Sequence, residues 1–180
     1  MQHSKIRSRL KAQLTRFSSE LTVGLRKPLR NFVGEMLFGI QASQDVKLSN
    51  IARSLQEEIP LLKTEDRLSR NLQAEELETH LRQGLLRLGS RRVETHTVLC
   101  LDLSDVRQEY ARKMEFLDPV WDGSAGEVHA GYWLCSVIGT EIHGSELMPL
   151  YQQLFSVRAQ DFVSENEELL SAIDPLRAQT

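Results

Sequence analysis

The fold of this 180-residue chain is decided by the stretch Thr97-Val98-Leu99-Cys100-Leu101-Asp102-Leu103-Ser104-Asp105. A run of apolar residues that begins with a β-branched side chain and reaches a carboxylate is typical of a short buried strand. Side chains alternate between the two faces of a strand, so Asp102 shares a face with Val98 and Cys100. We therefore predict a strand, packed on both sides, that carries Asp102 at its C-terminal end. Asp105 lies one turn beyond.

The rest of the C-terminal half predicts two more strands and a helix. His129–Ile138 and Ser145–Leu150 are the two apolar stretches that indicate strands. Ser164 is an N-cap residue type, and the three glutamates that follow it suit the first turn of a helix. Between the first two strands, residues 108–117 favour a short helix. Residues 118–126 favour turn and loop, because Asp-Pro and Asp-Gly break regular structure.

The N-terminal half predicts five helices. Apolar side chains recur there every three or four residues, as on one face of an amphipathic helix. The helices are expected near residues 6–21, from Pro28 to Ile40, from Ser49 to Ile59, from Thr64 to Leu72, and near residues 74–88. The third and fourth helices match a helix-turn-helix reader of DNA, whose second helix carries Arg67 and Arg70. A helix pair whose arginines only solvate the surface is the alternative.

Charge divides the chain into two contrasting parts. Lys and Arg outnumber Asp and Glu by 17 to 11 in residues 1–97, a net of +6, and are outnumbered 5 to 14 in residues 98–180, a net of −9. A basic part suits nucleic acid, and an acidic part suits metal ions. The first helix holds the densest basic cluster, which consists of Lys5, Arg7, Arg9, Lys11 and Arg16. Two ordinary solvated surfaces are the alternative.

A linker is expected at Gly89–Arg92, which separates a helical domain of residues 1–90 from a strand-bearing domain of residues 91–180. Arg91 and Arg92 would then stand beside the acidic part, where arginines can grip a phosphate backbone. The two cysteines, Cys100 and Cys135, fall inside predicted strands and have no partner at metal-ligand spacing, so we interpret both as buried thiols.

An ordered series of short motifs resembles the first part of the catalytic domain of bacterial cut-and-paste insertion-sequence transposases. The series consists of Leu101-Asp102-Leu103-Ser104-Asp105-Val106, Lys113-Met114-Glu115, Asp122-Gly123-Ser124, Gly131-Tyr132-Trp133, Pro149-Leu150-Tyr151 and Phe155-Ser156. Arg67-Leu68-Ser69-Arg70-Asn71-Leu72 also resembles the N-terminal part of that family. The resemblance implies a mixed α+β chain, with a helical DNA-binding domain followed by an RNase H-like α/β domain.

The resemblance also implies a chemistry. Members of the family use an Asp, Asp, Glu triad and two Mg²⁺ ions to cleave and join DNA strands. Asp102, or its rival Asp105, corresponds to the first carboxylate of the triad and would be a metal ligand. The family carries the second Asp on a fourth strand, and here the chain stops after three predicted strands and a helix. We therefore expect an incomplete, truncated RNase H-like domain, without cleavage activity on its own.

Two functions follow as expectations. The first is the front portion of a DDE transposase, which acts on the terminal repeats of a transposon. The alternative is a non-catalytic fragment that binds DNA, dimerises or pairs with full-length transposase and so inhibits transposition, or an inactive remnant. No apolar run is long enough for a membrane span and no signal-peptide core is present, so a cytoplasmic, nucleoid-associated bacterial protein is expected.

Overall fold

The computed structural model describes residues 2–108, 113–142 and 144–177, and it divides the chain into two compact units, residues 1–84 and 85–180. The architecture is mixed α+β, with six helices and a four-stranded antiparallel sheet within the described residues. None of these helices is long and apolar enough to cross a membrane.

Five helices precede the first strand, as the periodicity predicts. They are α1 (Gln2–Leu21), α2 (Lys27–Ser43), α3 (Leu48–Leu55), α4 (Leu61–Leu72) and α5 (Glu76–Ser90). Pro28 lies in the first turn of α2, where its missing N–H costs no helical hydrogen bond. Gln44 ends that helix in the left-handed conformation, and its N–H donates to the carbonyl of Ile40 at 2.9 Å.

Two predicted helix starts are wrong. α3 begins at Leu48 and its N-cap is Lys47, so Ser49 lies within the helix. α4 begins after Pro60, three residues earlier than expected, and Thr64 is a buried residue inside it. The Thr64 hydroxyl donates to Glu57 Oε2 at 2.7 Å instead of capping a helix. Pro60 is itself the N-cap of α4, so the helix begins at Leu61 and continues through Thr64.

The core of the unit formed by residues 1–84 lies mainly between α2, α3 and α4. Leu29, Ile51 and Leu68 are completely buried there. Gly39 allows α2 to approach α3 closely, because a Cβ at this position would lie 2.4 Å from Ile51 Cγ2. This packing stabilises the arrangement of the helices that carry the predicted DNA-binding arginines.

The second unit is built on one long strand. The strands are β1 (Val98–Arg107), β2 (Asp118–Asp122), β3 (Glu127–Thr140) and β4 (Leu147–Phe155), and β3 pairs antiparallel with each of the others. β1 and β4 both pair with the C-terminal part of β3 and so lie on its two opposite edges. The three predicted strands are present.

β2 is a strand that the sequence did not predict. Residues 118–122 were interpreted as turn and loop, but they pair with residues 127–131 of β3 and alternate between buried and exposed. Proline is tolerated near the start of a strand, which explains why Asp118-Pro119 does not break it. The predicted helix at 108–117 is not formed at residues 113–117, which make a bend and a turn, and residues 109–112 lie outside the described part.

The two faces of the sheet differ in burial. One face packs under α6 (Glu165–Arg177) and holds Cys135, Val137 and Tyr151 in a cluster with Ala172 and Leu176 of that helix. β1 is less buried than predicted, since Leu99 and Leu101 are 46% and 38% exposed. Packing on both sides of β1 was therefore a wrong expectation. An apolar run indicates only that a strand can be buried. Whether the strand is buried depends on the elements that pack against it.

The helix predicted after Ser164 is confirmed. α6 begins at Glu165, and the N–H of Glu167 donates to Ser164 Oγ at 3.2 Å. Three glutamates occupy its first turn, and the two exposed ones, Glu165 and Glu167, complement the helix dipole. Pro175 lies inside the last turn of α6, next to Asp174, so Asp174 belongs to a helix and not to a strand end.

Candidate functional site

Asp102 lies in the middle of β1, not at its C-terminal end as predicted. The strand continues for five more residues, to Arg107, because β3 is long enough to pair with it over that distance. Asp102 is opposite Ser136 of β3, which is in turn opposite Gln152 of β4. These three polar residues form a row across the face of the sheet that α6 does not cover. The Asp102 carboxylate is exposed and accepts a hydrogen bond from Ser104 Oγ at 2.5 Å.

Asp105 lies on the other face of the same strand. It is three residues from Asp102 and opposite Trp133, which packs against the core under α6. Because side chains alternate along a strand, these two carboxylates point to opposite faces and cannot bind one ion together. Asp102 is the more accessible of the two.

A two-ion magnesium site needs several convergent oxygen ligands. The described residues contain no group of three or more His, Cys, Asp or Glu side chains placed to hold a metal ion. Asp102 has hydroxyl groups as neighbours, from Ser104 and Ser136, and these are weak ligands for Mg²⁺. The donor set around Asp102 in this part of the chain therefore does not fit a pair of ions.

The predicted basic residues of α1 are only partly described. Arg9 and Arg16 have exposed side chains, and Arg16 Nε donates to Glu20 Oε1 at 3.1 Å. The side chains of Lys5, Arg7 and Lys11 lie outside the described part. An exposed ion pair one helical turn apart contributes little to stability and opens readily for a competing anion.

Arg67 is engaged within its own unit. Its guanidinium donates to Glu35 Oε2 of α2 at 2.5 Å and to Glu57 Oε1, between α3 and α4, at 2.8 Å. The Glu35 hydrogen bond is the main cause that raises the pKa of Arg67. The Thr64 hydroxyl, and then Arg67, lower the pKa of Glu57. Arg67 therefore ties three segments together, and its positive charge is already shared by two carboxylates.

The remaining predicted arginines differ in their partners. Arg70 has an exposed side chain whose Nε donates to the carbonyl oxygen of Asp66 at 3.2 Å. Arg91 is exposed, and Arg92 pairs with Glu146. Among these three arginines, Arg70 and Arg91 are exposed and form no ion pair with the described residues.

The sequence missed a second set of cations. Lys27, Arg30 and Asn31 lie on α2 and line a cavity of about 610 Å³ on its surface. Lys27 and Asn31 also line a neighbouring cavity of about 480 Å³, together with Arg70 and Asn71 of α4. The sequence contained one signal for this set. Lys27 and Arg30 are three residues apart, a spacing that places two side chains on the same face of a helix.

Comparisons with known proteins give no relative for this chain: no protein-family model, curated protein or solved structure matches it.

Proposed function

We propose that this chain is the front portion of a DDE transposase, whose helical part binds DNA and whose sheet carries the first metal ligand, Asp102. The observation that supports this most is the position of Asp102, exposed on the first strand of an antiparallel sheet and facing away from the core. The resemblance implies three strands followed by a helix along the chain, and the predicted strands β1, β3 and β4 precede α6 in the sequence. β2 is an addition to that order.

The chain on its own is a DNA-binding protein in this proposal and not a nuclease. Mg²⁺, when bound by a complete triad, supplies stabilisation of the attacking and leaving oxygens of a phosphodiester. Asp102 would contribute one carboxylate to such a site. Within the described residues, Asp102 belongs to no group of three or more His, Cys, Asp or Glu side chains that could hold a metal ion.

The test combines the gene and the protein. Translation of the DNA beyond codon 180 in three frames should reveal a strand that ends in Asp and, later, a helix that carries Glu. Purified chain should bind duplex DNA but leave it uncut in Mg²⁺. Cleavage that depends on Mg²⁺ and disappears in Asp102→Ala would overturn the non-catalytic part, and absence of the downstream residues in every frame would remove the support for the transposase.

A second candidate, a fragment that dimerises or pairs with a full-length transposase, is favoured by the free edge of β1. Within the described residues β1 pairs only with β3, so its outer edge keeps unpaired backbone groups. On the α6 side of the sheet, β1 also lines a cavity of about 780 Å³, to which it contributes Leu99 and Leu101. Such an edge can accept an added strand. Sedimentation should show concentration-dependent association that Leu101→Lys weakens, and a monomer at all concentrations would exclude this candidate.

A further inference from the structure

The two cavities on the unit formed by residues 1–84 are parts of one groove. They share Lys27, Asn31 and Glu35 as lining residues, so they are contiguous along α2. We call this surface the α2 groove and define it by Lys27, Arg30, Asn31, Arg70 and Asn71. α1 and α4 contribute its two walls.

The α2 groove has a positive excess of charge. Its lining contains four cations, Lys27, Arg30, Arg67 and Arg70, and two carboxylates, Glu35 and Glu57. Lys27, Arg30 and Arg70 all have exposed side chains. Three cations around one open groove raise the local potential and favour a polyanion.

The carboxylates do not cancel these three cations, because another residue already pairs with both. Arg67 donates to Glu35 and to Glu57 at 2.5 and 2.8 Å. Arg67 thus neutralises one of the two negative charges, so the groove keeps three cations against one net negative charge. Lys27, Arg30 and Arg70 together outweigh that charge and can act on a ligand.

Neutral donors accompany the cations. Asn31 is exposed and Asn71 is half-buried, and Asn71 Nδ2 donates to the carbonyl oxygen of Arg67, which fixes the amide. α2 begins at Lys27 and has no side-chain cap. The positive end of its helix dipole therefore lies next to this lysine. Cations, side-chain amides and helix N-termini are the groups that proteins place against the phosphates of DNA.

We propose that the α2 groove binds the phosphate backbone of duplex DNA, with Lys27, Arg30 and Arg70 as the contacting cations. This inference rests on the proposed DNA-binding function and assigns it to cations of α2 and α4 that line the groove. Of the predicted basic cluster of α1, the described side chains of Arg9 and Arg16 are not part of this lining. The groove positions the duplex without reading its sequence, since phosphate contacts carry little sequence information.

The test uses the full chain and a fluorescent duplex, with affinity measured by anisotropy at several salt concentrations. The variant is Lys27→Glu/Arg30→Glu. The matched control is Arg53→Glu/Lys63→Glu, which makes the same change in net charge on exposed residues of the same unit outside the groove. Circular dichroism should show the same helix content for both variants and the wild type.

We expect the groove variant to bind at least about tenfold more weakly, and the slope of log K against log salt to become shallower by about 0.9 for each lost phosphate contact, near 1.8 in all. The control should keep the wild-type slope. Equal effects of the two variants would overturn the groove while leaving DNA binding in place. Absence of wild-type binding would overturn the proposed DNA-binding function and the groove together. Competition by poly-glutamate as strong as by DNA of equal charge would assign the groove to acidic polypeptides instead.

Discussion

Replacing Arg67 with methionine should destabilise the unit formed by residues 1–84 by about 2 kcal/mol. The change removes two charge-assisted hydrogen bonds, to Glu35 and Glu57, while an unbranched side chain continues to fill the space. Hydrogen bonds to charged groups contribute about 1.5 to 3 kcal/mol each. Both bonds are weakened by solvent, because the three side chains are 29% to 30% exposed. Glu57 also keeps its bond from Thr64. These corrections bring the total to about 2 kcal/mol.

The assay is urea unfolding followed by helical circular dichroism at neutral pH. Arg16→Met is the matched control, because Arg16 forms a single ion pair with Glu20 and its side chain is 86% exposed. We expect the control to lose less than about 0.5 kcal/mol. A double-mutant cycle of Arg67→Met with Glu35→Gln should give a positive coupling energy. Equal stability of Arg67→Met and the wild type would refute the bridging role of Arg67.

The pH dependence provides a further check on the same bridge. The pKa of Glu57 is lowered in the folded chain, first by Thr64 and then by Arg67. A carboxyl group whose pKa is lowered by folding stabilises the folded chain at pH values above its pKa in the unfolded chain. That stability is lost as the pH falls through the pKa of the same group in the folded chain. The difference between the wild type and Arg67→Met should therefore shrink below the ordinary pKa of glutamate. A constant difference at all pH values would contradict this sign.

Three more outcomes follow from the packing. The expectation of two buried thiols is wrong for Cys100, which is exposed, whereas Cys135 is fully buried and burial raises its pKa. Cys100 should therefore react with a thiol reagent in the native chain, and Cys135 only after unfolding. Two thiols that react equally fast would contradict the register of β1 and β3. Glu168→Gln should raise the melting temperature at neutral pH but not at acid pH, because burial raises the pKa of Glu168 and its charged form is disfavoured in the folded chain. Gly84→Ala should cost about 2 kcal/mol in urea unfolding, because its Cβ would lie 2.2 Å from the Leu21 carbonyl oxygen, whereas Gly123→Ala should cost little, since no atom lies within 4 Å.

Six helices were predictable because their signals are local, whereas the helix expected at 108–117 is not formed at residues 113–117. Apolar spacing, Pro28 and Ser164 each act within one or two helical turns, and the structure has a helix at each place. The helix starts were less predictable. Pro60 and Thr64 are both possible start signals for α4, and the sequence alone does not show that the helix begins directly after Pro60.

β2 was missed because the turn residues that were interpreted as a loop form the end of a strand and the turn that follows it. Asp122 is buried and its Oδ1 accepts hydrogen bonds from the N–H groups of Ser124 and Ala125 at 2.9 and 3.0 Å, and from Ser124 Oγ at 2.5 Å. These bonds lower the pKa of Asp122, the Ser124 side chain most of all. Asp-Gly thus marks the turn correctly, but the turn closes a hairpin between β2 and β3 instead of lying in a loop.

The candidate sites depend on contacts that are distant in sequence. Arg67 and Glu35 are 32 positions apart, and nothing in the local pattern indicates that this arginine is paired. The α2 groove likewise brings Lys27 and Arg30 together with Arg70 across two helices. Asp102 could be singled out because it interrupts an apolar strand, which is a local signal. Its position in the middle of β1 could not be predicted, because the length of β3 determines where β1 ends.

The most direct test of the proposed function is the affinity of the full wild-type chain for duplex DNA as a function of salt concentration. We expect binding that weakens steeply with salt, with a slope of log K against log salt near −2.7 or steeper, as three phosphate contacts require at about 0.9 each. A chain that does not bind duplex DNA at low salt, or that binds with no salt dependence, would contradict the proposal that its basic helical part binds DNA.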